Sequence, residues 1–315
     1  MNPKNMVWVP GGAFLMGSND FYPEEMPVHR ARIGGFWMDE HPVTVAEFRR
    51  FIKATGHITV AEMTPDPADF PAAEPGQLVP GSLVFTPPDR PVPLDDFRHW
   101  WSWVPGAQWR HPEGPGSTLH GLEQHPVTHV AYRDALAYAE WAGKALPTEA
   151  EWEFAARGGL EGATYAWGDE FAPRGRMMAN TWQGAFPVHN DLLDGYARTS
   201  PVGKFPPNGY GLIDITGNVW EWTSDDYTSS HTPADDASEA VQPALDSASC
   251  CGPQLEPTTA QSAQHDASTP STKVIKGGSH LCAPNYCLRY RPAARQSQTT
   301  DTSTSHLGFR CIVRP

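Results

Sequence analysis

No run of 18 or more apolar residues occurs in the 315-residue sequence, so no stretch of it is long enough to cross a bilayer as a helix. The N-terminal MNPKNMVWVPGG lacks the basic start and apolar centre of a secretory signal, which sets the expectation of a cytoplasmic chain with no membrane partner. Cysteine is scarce. Cys250, Cys251, Cys282, Cys287 and Cys311 are too few, and odd in number, for a disulfide-stapled fold of this length, and a reducing compartment fits that count. Basic residues are outnumbered, 23 Lys and Arg against 36 Asp and Glu, and no basic patch interrupts the net charge of −13, which disfavours nucleic-acid phosphates and anionic lipid surfaces as partners. No segment repeats at a fixed period. His29, His41, His125 and His129 form no H-x-x-x-H pair on a credible helix, since Pro126 separates the last two, and Ser279 follows two glycines in GGSH without forming a G-x-S-x-G elbow.

What is abundant bends the chain or fills a core. Gly (28) and Pro (32) make up about 19% of the residues against a globular norm of roughly 12%, which disfavours a helix bundle or coiled coil. With 12 Trp, 9 Tyr and 13 Phe the chain has enough large apolar surface for a real core. Two helices carry full start and stop signals: TVAEFRRFIKATG, with Thr44 and Glu47 as a capping box and Gly56 as its end, and TEAEWEFAARGG, with Thr148, Glu151 and Gly158 in the same places. A third helix is expected over residues 134–143, where Leu136, Tyr138, Ala139 and Ala142 recur at helical spacing. MVWVPGGAFLMG and HLGFRCIVRP read as short strands, and the rest as PPNG-type turns and loops. The expectation is a single irregular α+β domain over residues 1–315, low in regular secondary structure. Residues 228–272 stand apart, with six acidic residues, no Lys or Arg and few large apolar side chains. They read as a polar surface insertion carrying Cys250 and Cys251.

Three groups of residues can carry chemistry. Cys282 and Cys287 in GGSHLCAPNYC lie five apart, about 140° around a helix and on opposite faces of a strand, so their sulfurs converge only if Pro284 and Asn285 turn the chain. Converging thiols suit a soft metal such as Cu(I) or Zn, or a redox disulfide, and a pair of plain buried cysteines is an equally open reading. Without two further ligands a closed zinc site does not follow. From Asn180 to Glu221, Asp191, Asp194, Asp214 and Glu221 lie among glycines that let carbonyls turn inward, as Ca²⁺ requires; acids beside glycine are more commonly solvated turns, so calcium is the minority reading from the residues alone. Trp220 and Trp222 alternate in VWEW as on a strand, and Trp100, Trp101, Trp103 and Trp109 cluster in FRHWWSWVPGAQWR; core packing is the simpler reading for both.

Taken in order, VPGGAFLMGS, HPVTHVAYRDALAYAEWAGKALPTEAEWEFAARGG, YAWGDE, NTWQGAFP, PPNGYGLIDITGNVWEW and GGSHLCAPNYCLRYRPAARQSQTTDTSTSHLGFRC resemble the formylglycine-generating enzymes, the sulfatase-modifying factor family, over the whole chain outside 228–272. GNVWEW and LPTEAEWE mark a broader superfamily that includes sulfoxide synthases and lectin-like binding modules, and the paired cysteines narrow the resemblance to the enzymes. The resemblance implies an oxidoreductase of C-type-lectin-like fold that uses O₂ and Cu(I) to convert the cysteine of a Cys-x-Pro-x-Arg motif, in an unfolded or nascent sulfatase, to Cα-formylglycine. It implies that Cys282 and Cys287 hold the copper and that Ser279, Tyr286 and Trp220 line the pocket; a monomer is the expectation, though nothing in the residues decides oligomeric state. It also implies structural calcium at Asn180, the Thr181 carbonyl, Asp194 and the Tyr196 carbonyl, and again at Asp214, the Gly217 and Val219 carbonyls and Glu221. Asp214 stands where relatives often have Asn, and His306 where they often have Asn in the substrate groove. Ala139, Ala156 and Pro292 occupy positions that are disulfide cysteines in eukaryotic relatives, leaving Cys311 without that partner. The alternatives are a sulfoxide synthase, for which no helical domain supplying iron-binding histidines is present, and a non-enzymatic lectin-like module in which the cysteines are structural.

Overall fold

A computed structural model of the protein describes residues 3–67, 74, 76, 78–231 and 271–315. Local signals place the helices within it. Thr44 Oγ1 accepts from Glu47 N while the Glu47 carboxylate accepts from Thr44 N, so α1 runs Val45–Thr55 and stops where Gly56 turns left-handed at φ 68°. α2, Tyr132–Trp141, starts two residues earlier than its apolar spacing suggests. Asp134 is the reason: from the first turn its carboxylate accepts from Ala131 N at 3.0 Å and from His57 Nε2 at 2.9 Å, capping a helix whose Ala131 has no polar side chain to do so. α3, Glu149–Arg157, has the Thr148–Glu151 box and the Gly158 stop.

The strands are short and pair over long sequence distances. β1 (Met6–Val9) and β11 (Ile312–Val313) flank β4 (Phe36–Asp39) in one antiparallel sheet, so the two ends of the chain share a sheet. A second sheet has the order β10 (Leu307–Gly308), β7 (Trp220–Asp226), β8 (Thr272–Lys276), β9 (Arg295–Thr299), with only the β10–β7 pair parallel. Two hairpin-like pairs complete the set, β2 (Gly12–Met16) with β3 (His29–Ile33) and β5 (Gly81–Phe85) with β6 (Trp101–Pro105). Three helices and four small sheets among the described residues, joined by irregular loops, make the fold α+β.

Trp220 and Trp222 point to one face of β7 and are both fully buried, in a cluster with Phe48 and Phe51 of α1, Tyr138 of α2, Phe309, Cys282 and Cys287. Trp100, Trp101 and Trp109 are core residues, whereas Trp103 is 47% exposed on the β5–β6 pair. Beneath the second sheet runs a chain of buried ion pairs: Arg289 with Glu24, Arg291 with Glu25, Arg295 with Glu149, and Lys276 with Glu153, which also holds Arg157. Glu24 and Glu25 lie in a 3-10 turn, Pro23–Glu25, that is thereby fixed against the segment following Cys287. Residues 232–270, with Cys250 and Cys251, lie outside the described residues, so the expected insertion is seen only at its two ends. Among the described residues no helix is long and apolar enough to cross a membrane.

Candidate active site

β8 ends at Lys276, and the chain turns away from the sheet through Gly277 (φ 95°) and Gly278 (φ 68°). Only glycine suits the second position, because a Cβ there would stand 2.7 Å from the Arg289 carbonyl oxygen on the returning strand of the loop. The loop then closes on itself. Cys282 N donates to Ser279 O at 3.0 Å, and both Tyr286 N and Cys287 N donate to Ala283 O, at 3.1 and 2.8 Å, so residues 283–287 form one tight turn around Pro284 and Asn285. That turn brings the two sulfurs to 3.2 Å. Both cysteines are buried and neither is in a disulfide. Ser279 N approaches Cys282 Sγ at 3.4 Å, and an Arg289 guanidinium nitrogen lies 3.9 Å from Cys287 Sγ.

Of the residues expected to line a pocket, Ser279 is fully buried and its hydroxyl accepts from Leu281 N at 3.2 Å. Tyr286 is partly buried, stacked on Phe186 at 4.7 Å between ring centroids and met edge-on by Trp100 at 5.5 Å. Trp220 packs in the same apolar cluster as both cysteines, and its buried indole N–H has no hydrogen-bond partner among the described residues. Trp220 N donates to His306 O, which ties β7 to the turn that leads into β10. His306 is buried against Trp101, with Nδ1 at 2.6 Å from Thr304 Oγ1 and Nε2 without a partner among the described residues. Burial holds the His306 imidazole well below its usual pKa, and burial, with the Arg198 charge adding to it, pushes His280 and His129 down to about 4, so all three stay neutral at pH 7.

The oxygen-rich region assembles differently. Asp194 accepts from Thr181 N at 3.0 Å, Tyr196 N at 2.9 Å and the Gln183 amide at 2.8 Å, and that amide also donates to the Thr181 carbonyl. Asn180 Oδ1 is buried with no partner, while its Nδ2 donates to Arg198 O at 2.9 Å. An orphaned amide oxygen beside a carboxylate is a donor set that fits Ca²⁺. Asp214, at φ 49°, accepts from Gly203 N through one oxygen, and the other is buried without a partner; burial raises its pKa to about 6. Gly217 approaches the Asn180 carbonyl so closely that a Cβ would stand 2.5 Å from it, so the two oxygen-rich sets abut. Glu221 fits less well. Its carboxylate accepts from Arg310 at 2.8–3.0 Å and from Trp152 Nε1 at 2.7 Å, so a guanidinium already matches its charge. Two soft sulfurs at the turn, for their part, fit Cu(I). Among the described residues no three or more His, Cys, Asp and Glu side chains gather in one place.

The domain family described as sulfatase-modifying factor enzyme 1-like matches residues 1–315. The chain belongs to this family. It is 52% identical over 310 residues to the formylglycine-generating enzyme of Mycobacterium tuberculosis, covering 98% of both chains, and 45% identical over 320 residues to that of Thermomonospora curvata, covering 99% of this chain and 94% of the other. Among solved structures it is similar to PvdO from Pseudomonas aeruginosa, with a TM-score of 0.59 and 24% identity over 98% of this chain and 93% of that one, a likeness of fold. Among the stretches by which the sequence resembles the sulfatase-modifying factor family, GNVWEW runs into β7, LPTEAEWE opens α3, and GGSHLCAPNYC is the dithiol loop. Three residues at the loop escape sequence reasoning. Arg289 follows Cys287 by two positions, a basic side chain in an apolar stretch and hence a readable signal; Tyr22 and Glu24, which hold it, lie more than 260 residues away and leave no local trace.

Proposed function

We propose that this protein converts the cysteine of a Cys-x-Pro-x-Arg motif in an unfolded or nascent sulfatase to Cα-formylglycine, with O₂ as oxidant and Cu(I) held by Cys282 and Cys287. The observation that carries the reading is the turn that sets two buried, unbridged sulfurs 3.2 Å apart, in a chain 52% identical to a formylglycine-generating enzyme. Bound copper supplies O₂ activation and a soft third position for the substrate sulfur. The chain's own residues do the rest. The fully buried setting of Ser279, Cys282 and Cys287 excludes bulk water, Ser279 and Tyr286 offer hydroxyls to the substrate or the oxidant, and the unpartnered Trp220 N–H is a donor aimed by its strand. An extended peptide suits this site because a cysteine inside a folded sulfatase would not reach it.

Structural Ca²⁺ is part of the same reading. The first set, Asn180, Thr181, Asp194 and Tyr196, accepts it by displacing the Gln183 amide; at the second, Asp214 and the carbonyls of Gly217 and Val219 serve as ligands, and Glu221 contributes less because Arg310 already neutralises it. The deciding experiment loads the reduced protein with Cu(I), adds a Cys-x-Pro-x-Arg peptide in air, and looks by mass spectrometry for a hydrazine-trappable aldehyde. Copper-dependent aldehyde, absent in Cys287→Ser, supports the reading; stoichiometric copper binding without aldehyde returns the chain to a binding role.

A further inference from the structure

The cations that clamp the dithiol loop are not equivalent. Arg291 gives both terminal nitrogens to Glu25, at 2.8 and 2.5 Å, and Arg295 pairs with both oxygens of Glu149 at 2.7 and 2.9 Å. Arg289 divides its nitrogens: one donates to Glu24 at 2.6 Å, and the other lies 3.9 Å from Cys287 Sγ. Its guanidinium rests on the Tyr22 ring at 3.9 Å, and the Tyr22 hydroxyl accepts from Leu288 N at 2.9 Å, so its plane is fixed from below as well as from the side. Arg289 is 3% exposed and Cys287 not at all, so water does not screen the charge from the sulfur.

Resting on the copper reading, we infer that Arg289 is a positioning residue for the metal: its charge compensates the anion that two thiolates and one Cu(I) form together. Two thiolates around a monovalent cation carry a net charge of −1, and a buried, uncompensated anion is costly. A guanidinium at the sulfur offsets that cost, while Glu24 on its far side holds it in place and weakens its field. The two neighbours therefore act with opposite signs. Removing the Arg289 charge loosens Cu(I), whereas removing the Glu24 charge while keeping its acceptor oxygen tightens it. A purely structural clamp would weaken binding in both cases.

The test is anaerobic competition for Cu(I) between the reduced full-length protein and a chromophoric Cu(I) chelator, with circular dichroism confirming the fold of each variant. Wild type is expected to bind one Cu(I) in a way that Cys287→Ser abolishes. Arg289→Gln should weaken binding about 10- to 100-fold, the range usual for groups that support a metal ligand. Arg289→Lys should stay within about threefold of wild type, and Glu24→Gln should bind several-fold more tightly; these two carry the test if Arg289→Gln does not fold. Unchanged affinity in Arg289→Gln, or weaker affinity in Glu24→Gln, overturns the inference and leaves the copper reading standing. Wild type that binds no Cu(I) through Cys287 overturns both.

Discussion

The dithiol turn and the oxygen-rich loops are built in opposite ways. The sulfurs are brought together within six residues by two bonds to one carbonyl, Ala283 O, in an apolar cluster with one guanidinium, that of Arg289, at its edge. The oxygens come from residues 180–221, and most already have partners: Asp194 is ringed by two backbone amides and a glutamine, and Glu221 by Arg310 and Trp152. A local turn makes a site whose ligands can be removed with little effect on the fold. A site woven from distant loops holds the fold together, and its ligands cannot be removed without cost.

The strongest way to break that contrast is at the sulfurs. Cys282→Ser or Cys287→Ser should abolish aldehyde formation in the peptide assay while shifting the thermal midpoint by no more than a few degrees, since Ser differs from a buried Cys by one atom. A large drop in the midpoint would mean the cysteines are structural. Next comes the loop's glycine hinge: Gly278→Ala places a Cβ 2.7 Å from Arg289 O at φ 68°, and should cost about 2–4 kcal/mol by denaturant unfolding with a parallel loss of Cu(I) affinity. On the oxygen side, Asp194→Ala frees the amides of Thr181 and Tyr196 and should cost about 1–3 kcal/mol even without Ca²⁺. It should also remove the Ca²⁺-dependent rise in thermal midpoint expected of wild type.

The smallest effect sharpens the comparison through pH. The folded pKa of Asp214 is raised to about 6 by burial, above its unfolded value near 4, so its ionised form destabilises the metal-free fold; stability from this group is lost as pH rises from about 4 to 6. Asp214→Asn should flatten that slope and stabilise the metal-free protein by about 1–3 kcal/mol at pH 7, and added Ca²⁺ should narrow the gap. If the variant is no more stable at pH 7 than at pH 4 relative to wild type, Asp214 is not held in a charge-averse setting.

What could be read in advance follows the same division between local and distant. The capping boxes at Thr44 and Thr148 and the glycine stops at Gly56 and Gly158 are patterns within four or five residues, and the structure has them in those places. The convergence of Cys282 and Cys287 was legible for the same reason, because Pro284 and Asn285 left the intervening chain few other routes. The start of α2 was misjudged by two residues because Asp134 caps it while also holding His57, 77 residues away. Nothing in the sequence pairs Glu24 with Arg289 or Arg310 with Glu221, since ion pairs between distant segments have no period or spacing to detect.

The ion pairs between residues 24–25 and 289–291 also bear on how the protein is made. Synthesis runs from the N-terminus at about 5–20 residues per second, so the acidic turn emerges on the order of 10–50 seconds before the arginines it grips. β11, which seals the first sheet, comes later still. Cys282 and Cys287 emerge only a few residues ahead of Arg289 and Arg291, so the thiols wait on the order of a second for the arginines, while the acidic turn has waited far longer. The two halves of the clamp are therefore made at opposite ends of synthesis, and the dithiol loop takes its final form only after the arginines that follow it have found residues 24–25.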